Sequence, residues 1–345
     1  MYFMSNNILG KKLFDIMDKN RVFSPVSIIN LFSFIHLAST ENTHEQLDSF
    51  FKPVVEIDNQ DRFNNQYIKM TNYMLVNQNI KIKDDYVEMI KNLIHIIHRD
   101  FGDSALVTLE CNQIIERDTN SLIKNVVKSN MINNETFVIL INTIYFKSVW
   151  KTPFKKYLTK DKLFNEKHIV KMMNCDSIFS YYEDDKIQAV NMMYKNNNYG
   201  MLFVLPKQGI DIDKCSDYLF DKINFSYKNV DCQIPKFTQR KNIDLKPLFS
   251  KLGVTDLFHP ELARLDKMSD EQIYISDVFH EAVVIVDEEG TEASAATFGS
   301  SLRNGTYDLR GLYEKSIPFY LDRPFLYAIK DNDVVLFAGD YIGEN

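Results

Sequence analysis

Two histidines three residues apart, His95 and His98 in "HIIH", are the first candidates for chemistry. On a helix they would share a face, as metal ligands do. Zinc asks for three or four ligands, and no Cys or carboxylate stands where it would complete the set. They read as ordinary helix histidines. "GSS" at Gly299 to Ser301 offers a serine hydroxyl, but the G-x-S-x-G elbow is absent and no His and Asp context supplies a base. There is no Walker loop and no GxGxxG after a strand. The pair Asp184-Asp185 reads as a charged, solvated loop. An enzyme therefore has little support, and no metal or cofactor is expected.

The stretch "DEEGTEASAATFGSSLRNG", Asp287 to Gly305, is of another kind. As a strand it would point Thr291, Ala293, Ala295 and Thr297 to one face. Glu292, Ser294 and Ala296 would point to the other. The first set is small and uncharged, so the strand enters a crowded sheet at little steric cost. Gly290 and the alanines hold a strand poorly by themselves, so the same stretch also reads as an exposed linker.

The elements that position these residues follow from periodicity. Helical spacing runs through "SPVSIINLFSFIHLA", with Pro25 at its start. It also runs through "DDYVEMIKNLIHIIHRDF" and "CNQIIERDTNSLIKNVVKSN". Strand-like runs are "TFVILINTIYF", "GMLFVLP", "VDCQIPKF", "AVVIVD", "FLYAI" and "VVLFAGDY". Helices lie mostly early and strands mostly late, which indicates an α+β fold. The 345 residues are 45% hydrophobic, enough for a sizeable core, and no Gly/Ser/Pro linker divides them. One domain over 1–345 is expected. Net charge is -7 with both signs interspersed, so nucleic acid is not an expected partner. No stretch is long enough to span a membrane. Asn6, Asn7, Lys11 and Lys12 interrupt the apolar N-terminal residues, so no signal peptide is expected and the location is expected to be cytoplasmic. Cys111, Cys175, Cys215 and Cys232 are widely spaced and read as free thiols.

Seven ordered motifs resemble the serpin family. "EEGTEASAAT" resembles the hinge of inhibitory members. "VFSPVSIINLF" resembles an N-terminal helix motif, and "NTIYFKSVWKTPF" a strand bearing the family's Trp, here Trp150. "LFVLPK", "IPKF" and "LFSKLGVTDLF" follow in order, and "DRPFLYAIKDNDVVLFAGDY" resembles the C-terminal signature. Length and the Asn/Ile/Lys-rich composition are most similar to intracellular poxviral serpins. The resemblance implies a serpin fold: three β-sheets, eight to nine helices and an exposed reactive-centre loop over about 288–321. One early helix, after "FFKPVVEID", is expected to be reduced. The family's glycine-rich turn appears as "ASTENTHEQL", without glycines.

The resemblance also implies site residues. The hinge is Glu288, Glu289, Gly290, Thr291, Glu292, Ala293, Ser294, Ala295 and Ala296. A polar cluster where the central sheet opens comprises Ser24, Ser27, Asn142 and His280, with Trp150 at the top of that sheet. The family's usual spacing from Glu288 ends at Asn304, and an arm one residue shorter ends at Arg303. Arginine suits the acidic primary pocket of a trypsin-like protease, which favours Arg303-Asn304 as the reactive bond. Arg310 and Lys315 are alternatives, because the segment from Asn304 to Leu321 exceeds the family's by about ten residues, and loops tolerate such insertions. The implied partner is a serine protease trapped in a covalent complex with a monomer. The other readings are a non-inhibitory serpin-fold binding protein and a cross-class inhibitor of a cysteine protease such as a caspase. The absence of bulky, charged or proline residues at the inward hinge positions favours inhibition.

Overall fold

A computed structural model describes residues 2–51, 65–196, 198–291 and 315–343. Its helices are α1 (Tyr2–Ile16), α2 (Pro25–Ala38), α3 (Glu41–Phe51), α4 (Asp84–Ile90), α5 (Ser104–Asp118), α6 (Asp217–Phe220) and α7 (Lys246–Lys251). Its early strands are β1 (Val22–Phe23), β2 (Ile68–Asn77), β3 (His95–Arg99), β4 (Val138–Phe146), β5 (Ser148–Val149), β6 (Lys160–Phe164), β7 (His168–Glu183) and β8 (Ile187–Met193). The later ones are β9 (Tyr199–Pro206), β10 (Ser226–Pro235), β11 (Phe237–Asp244), β12 (Ile275–Val286), β13 (Gly290–Thr291), β14 (Ile317–Tyr320), β15 (Phe325–Asp331) and β16 (Val334–Tyr341). Contacts group the chain into two units. The first is Met1–Met17, Val22–Tyr145 and Arg240–Val283; the second is Asp18–Arg21, Phe146–Gln239 and Val284–Asn345.

The first unit is organised around α2. All its residues except Asn30 and Leu37 are buried. A helix apolar on every side belongs inside a core, and α1 and α3 pack against it. Ser24 caps it by accepting from the Ser27 N–H, and Pro25 fills the first turn, where its missing N–H costs nothing. Phe32 of α2 stacks on Phe249 of α7 at 4.0 Å. Beneath lies the middle of a sheet in the order β3-β2-β4-β12. Here β4 and β12 are direct parallel neighbours, Val138 to Tyr145 against Ile275 to Val283. Both strands are buried almost throughout, as strands covered on both faces are.

Two long helices expected from periodicity stop early. The first ends at Ile90, and "HIIHR" becomes β3, parallel to Tyr73–Asn77. Ile97 is buried while His95 and His98 are exposed. The two histidines therefore do not share a helix face; three apart on a strand, they point to opposite sides. Tertiary pairing with β2 has overridden a pattern that suits either structure. The second helix ends at Asp118. Thr119 Oγ1 turns back to the Ile115 carbonyl at 2.7 Å, and Asn120 and Ser121 take φ of 52° and 63°, which a helix cannot continue. In the turn lacking the family's glycines, Glu41 itself adopts φ of 47°.

The second unit holds strands in the order β16-β15-β9-β8-β7-β10-β14, with β6 beside β7. Its core includes Phe164, Phe203, Phe325 and Tyr341. The 16-residue β7 pairs with β6 and β10 along most of its length and with β8 at its end. It therefore lies inside one continuous sheet, and the described residues hold seven α-helices. The fold is of the mixed α+β class.

Candidate functional site

Four of the five residues assigned to sheet opening meet in the first unit. His280 sits opposite Asn142 in the β4–β12 register, and its Nδ1 is 2.7 Å from Asn142 Oδ1. The Ser24 backbone N–H points at His280 Nε2 over 3.0 Å. That nitrogen must accept, so the ring is neutral with its proton on Nδ1, which donates to Asn142. Ser27 Oγ donates to the same amide oxygen at 2.7 Å. All four residues have no exposed surface. Burial pushes the His280 pKa down from 6.5 to about 3.

The network extends beyond the residues that sequence assigned. Asn142 Nδ2 donates to Asn72 Oδ1 at 2.7 Å, and Asn72 Nδ2 donates to Asn30 Oδ1 at 2.8 Å. The only signal for either was an Asn amid apolar residues of a buried strand or helix. A chain of hydrogen-bonded amides, buried at Asn142 and Asn72 and half-buried at Asn30, links β12, β4, β2 and α2, and it breaks as a unit.

Trp150 packs with the hinge in the second unit. A turn at Asp287 to Gly290 closes through Asp287 Oδ1, which accepts from the Glu289 and Gly290 N–H groups at 2.9 and 3.1 Å. Gly290 and Thr291 then form β13, antiparallel to both β12 (Val286↔Thr291) and β5 (Gly290↔Val149). A Cβ on residue 290 would lie 2.1 Å from the Ser148 carbonyl oxygen, so only glycine allows this approach. Thr291 is fully buried, and its Oγ1 is 2.6 Å from the Tyr194 hydroxyl. Tyr194 stacks on Trp150 at 4.5 Å and 11°. Trp150 Nε1 donates to the Asp287 carbonyl at 2.9 Å, and its backbone N–H donates to that of Glu289 at 2.8 Å.

Glu288 is the anchored acid of the turn. It accepts from Lys236 Nζ and from Thr159 Oγ1, each at 2.9 Å. Burial works to raise its pKa, but Lys236, its own N–H and Thr159 outweigh that and hold it below the usual 4.5. Glu289 pairs with Lys156 at 2.6 Å. Tyr194, Thr159, Lys236 and Lys156 carried no sequence signal linking them to the hinge. We expect Glu288→Gln to lower unfolding stability at pH 7 by about 1 kcal/mol, because Lys236 is half-exposed and the pair is partly screened. The deficit disappears as pH falls from 4.5 through the lower folded value, where the wild-type carboxylate also protonates. Urea titrations at both pH values measure it.

Glu292, Ala293, Ser294, Ala295, Ala296, Arg303, Asn304 and Arg310 lie outside the described residues, as does the segment in which a reduced early helix was expected. Lys315 is described and exposed. The next residue, Ser316, is held by Asp176 at 2.8 Å and by Asn229 at 2.9 Å, and Ile317 begins β14, parallel to β10. Both ends of the expected 288–321 loop are therefore strands within sheets.

The family model described as Serpin (serine protease inhibitor) matches residues 5–343. An uncharacterized serpin-like protein of Acanthamoeba polyphaga mimivirus is 31% identical over 98% of this chain and 88% of its own length. Mouse neuroserpin is 27% identical, covering 93% of this chain and 85% of its own, and the antitrypsin of Bombyx mori is 26% identical, covering 94% and 88%. Among solved structures, Serpin48 of the insect Tenebrio molitor superposes with a TM-score of 0.86 at 23% identity, over 99% of this chain and 97% of its own. The thermophilic serpin tengpin in its native state gives 0.86 at 24%, over 99% and 94%. The chain belongs to the serpin family and has the serpin fold. No described helix is long and apolar enough to cross a membrane.

Proposed function

We propose that this chain is a single-domain suicide-substrate inhibitor of trypsin-like serine proteases, and not an enzyme. The observation that carries the proposal is β13: two hinge residues already stand as a strand between β12 and β5. Lower on β12, the partner is β4 itself. Carrying the antiparallel register Val286↔Thr291 onward sets Ala293 opposite Val284, Ala295 opposite Ala282 and Thr297 opposite His280. These β12 residues are all buried. On insertion the small inward residues would meet this buried face, and Thr297 would arrive at the His280–Asn142 hydrogen bond.

The protease takes the loop as substrate, and its nucleophile acylates on the carbonyl of the residue before the cut. The freed strand then continues β13 between β4 and β12. Loop insertion with release of stored strain is a known serpin switch, and membership of the family supports it for this chain. Inhibition requires insertion to outrun deacylation. Arg303-Asn304 is the proposed bond, because a guanidinium pairs with a trypsin-like pocket acid. Lys315-Ser316 is the weakest alternative: a protease cleft needs extended chain on both sides, and Ser316 is tied to two strands. A monomer acting in the cytoplasm of an infected cell fits the four free cysteines. The viral part is supported by the mimivirus relative, and the poxviral type by the Asn/Ile/Lys-rich composition.

Incubation with trypsin, a granzyme-like protease and a caspase tests the reading. The expected result is an SDS-resistant adduct with trypsin, and a released peptide whose first residue is Asn304. An adduct with the caspase alone assigns the cross-class reading. Cleavage by all three without any adduct assigns a non-inhibitory binding protein.

A further inference from the structure

We propose that His36, His44 and Asp48 form a binding site for a divalent transition-metal ion of the zinc type. The three lie on α2 and α3, and none of them has a role above. His36 is in the last turn of α2, and His44 and Asp48 are four apart on α3, on one helix face. One ligand atom from each lies within 4.8 Å of the others. His36 Nε2 is 3.0 Å from Asp48 Oδ1, and the two imidazoles stack at 4.2 Å and 26°. Zinc bonds of roughly 2.0–2.2 Å place tetrahedral ligands about 3.4 Å apart, so no pair has to close by more than about an ångström and a half on binding. Side-chain rotation on two helix surfaces supplies that.

The surrounding bonds orient one ligand. Ser39 Oγ donates its single proton to the His36 carbonyl at 2.8 Å. Its contact with His44 Nδ1 at 3.1 Å must then be one it accepts, so His44 carries its proton on Nδ1. The His36 carbonyl lies 3.3 Å from the same Nδ1–H. His44 Nε2 is left with its lone pair. An imidazole whose second nitrogen donates to a carbonyl or hydroxyl is the usual outer support of a metal ligand. Two imidazoles and a carboxylate suit zinc and its neighbours in the first transition row, and a fourth position stays open to water. The side chains of His36 and Asp48 are 9% and 21% exposed, which leaves a way in past Asp48. A bound ion would brace the end of α2 against α3.

The test is calorimetric titration of the tag-free, metal-stripped full chain with zinc chloride, and visible spectra with cobalt(II). One equivalent binds, the thermal midpoint rises with zinc concentration, and cobalt shows a tetrahedral d–d spectrum without a thiolate charge-transfer band. His44→Ala and Asp48→Asn keep their circular dichroism and lose the binding; His168→Ala keeps it. Ser39→Ala, which removes the orienting contact to His44 together with the bond to the His36 carbonyl, weakens it about tenfold. No binding by the wild type, binding that survives both ligand variants, or a thiolate band would each overturn the site. In those cases His36 and Asp48 are simply a hydrogen-bonded pair between helices.

Discussion

Thr291→Arg leaves the reactive loop cleavable by trypsin and abolishes the SDS-resistant adduct. Thr291 is not merely near the sheet. It is fully buried, with its hydroxyl 2.6 Å from that of Tyr194, whose ring stacks on Trp150. An arginine there has no room and no counter-charge within its reach in β13 or β5. Burying an unpaired guanidinium costs several kcal/mol. Each ~1.4 kcal/mol added to the barrier for insertion slows that step about tenfold relative to deacylation. The chain then turns over as substrate. Trp150 is the only tryptophan, so its emission reports in the uncleaved protein whether β13 has left its place. Thr291→Ser keeps the hydroxyl and should keep both the emission and the adduct. Ala293→Glu acts one pleat later, on the same face, and should lose the adduct with unchanged emission. Wild-type adduct yield in either charged variant would sink the insertion account.

The second large effect is on stability against acid, through His280. Its folded pKa of about 3 lies below the unfolded 6.5, so its contribution is complete above pH 6.5. Below that, the unfolded chain takes up a proton that the folded chain refuses. Stability falls by about 1.4 kcal/mol per pH unit until the folded pKa is reached. Between pH 6.5 and 5 the loss is about 2 kcal/mol from this residue alone. Burial lowers His36 in the same direction, though its partner Asp48 opposes the shift. His280→Gln isolates the central histidine: its stability is lower at pH 7, because Asn142 and Ser24 lose a matched partner, but its slope between pH 6.5 and 5 is shallower. Denaturant titrations at the two pH values give both numbers. Equal slopes in variant and wild type would mean that the ring is not held neutral between β4 and β12.

Much of the fold was legible in local pattern, and the exceptions have one cause. The apolar run that became α2 and the runs that became β9, β15 and β16 carry their period within themselves. "HIIH" does not: its pattern fits a helix or a strand, and pairing with Tyr73–Asn77 decided for the strand. The polar cluster was legible only through resemblance. Ser27 and Asn142 are 115 residues apart and Asn142 and His280 138 apart, and no local spacing links them. Asn72 and Asn30 were missed for the same reason.

By itself the sequence determined the family, the class of fold and the uncharged small-residue alternation from Thr291 to Thr297. Those are properties of residue type and order along one strand. Only the tertiary structure decided where that stretch begins to be a strand, which side chains receive Gly290 and Thr291, and which polar groups join β4 to β12. Gly290 touches Ser148, Thr291 meets Tyr194, and His280 meets Asn142 across β4 and β12. Those are distances between segments remote in sequence, and only the packing of the whole chain sets them.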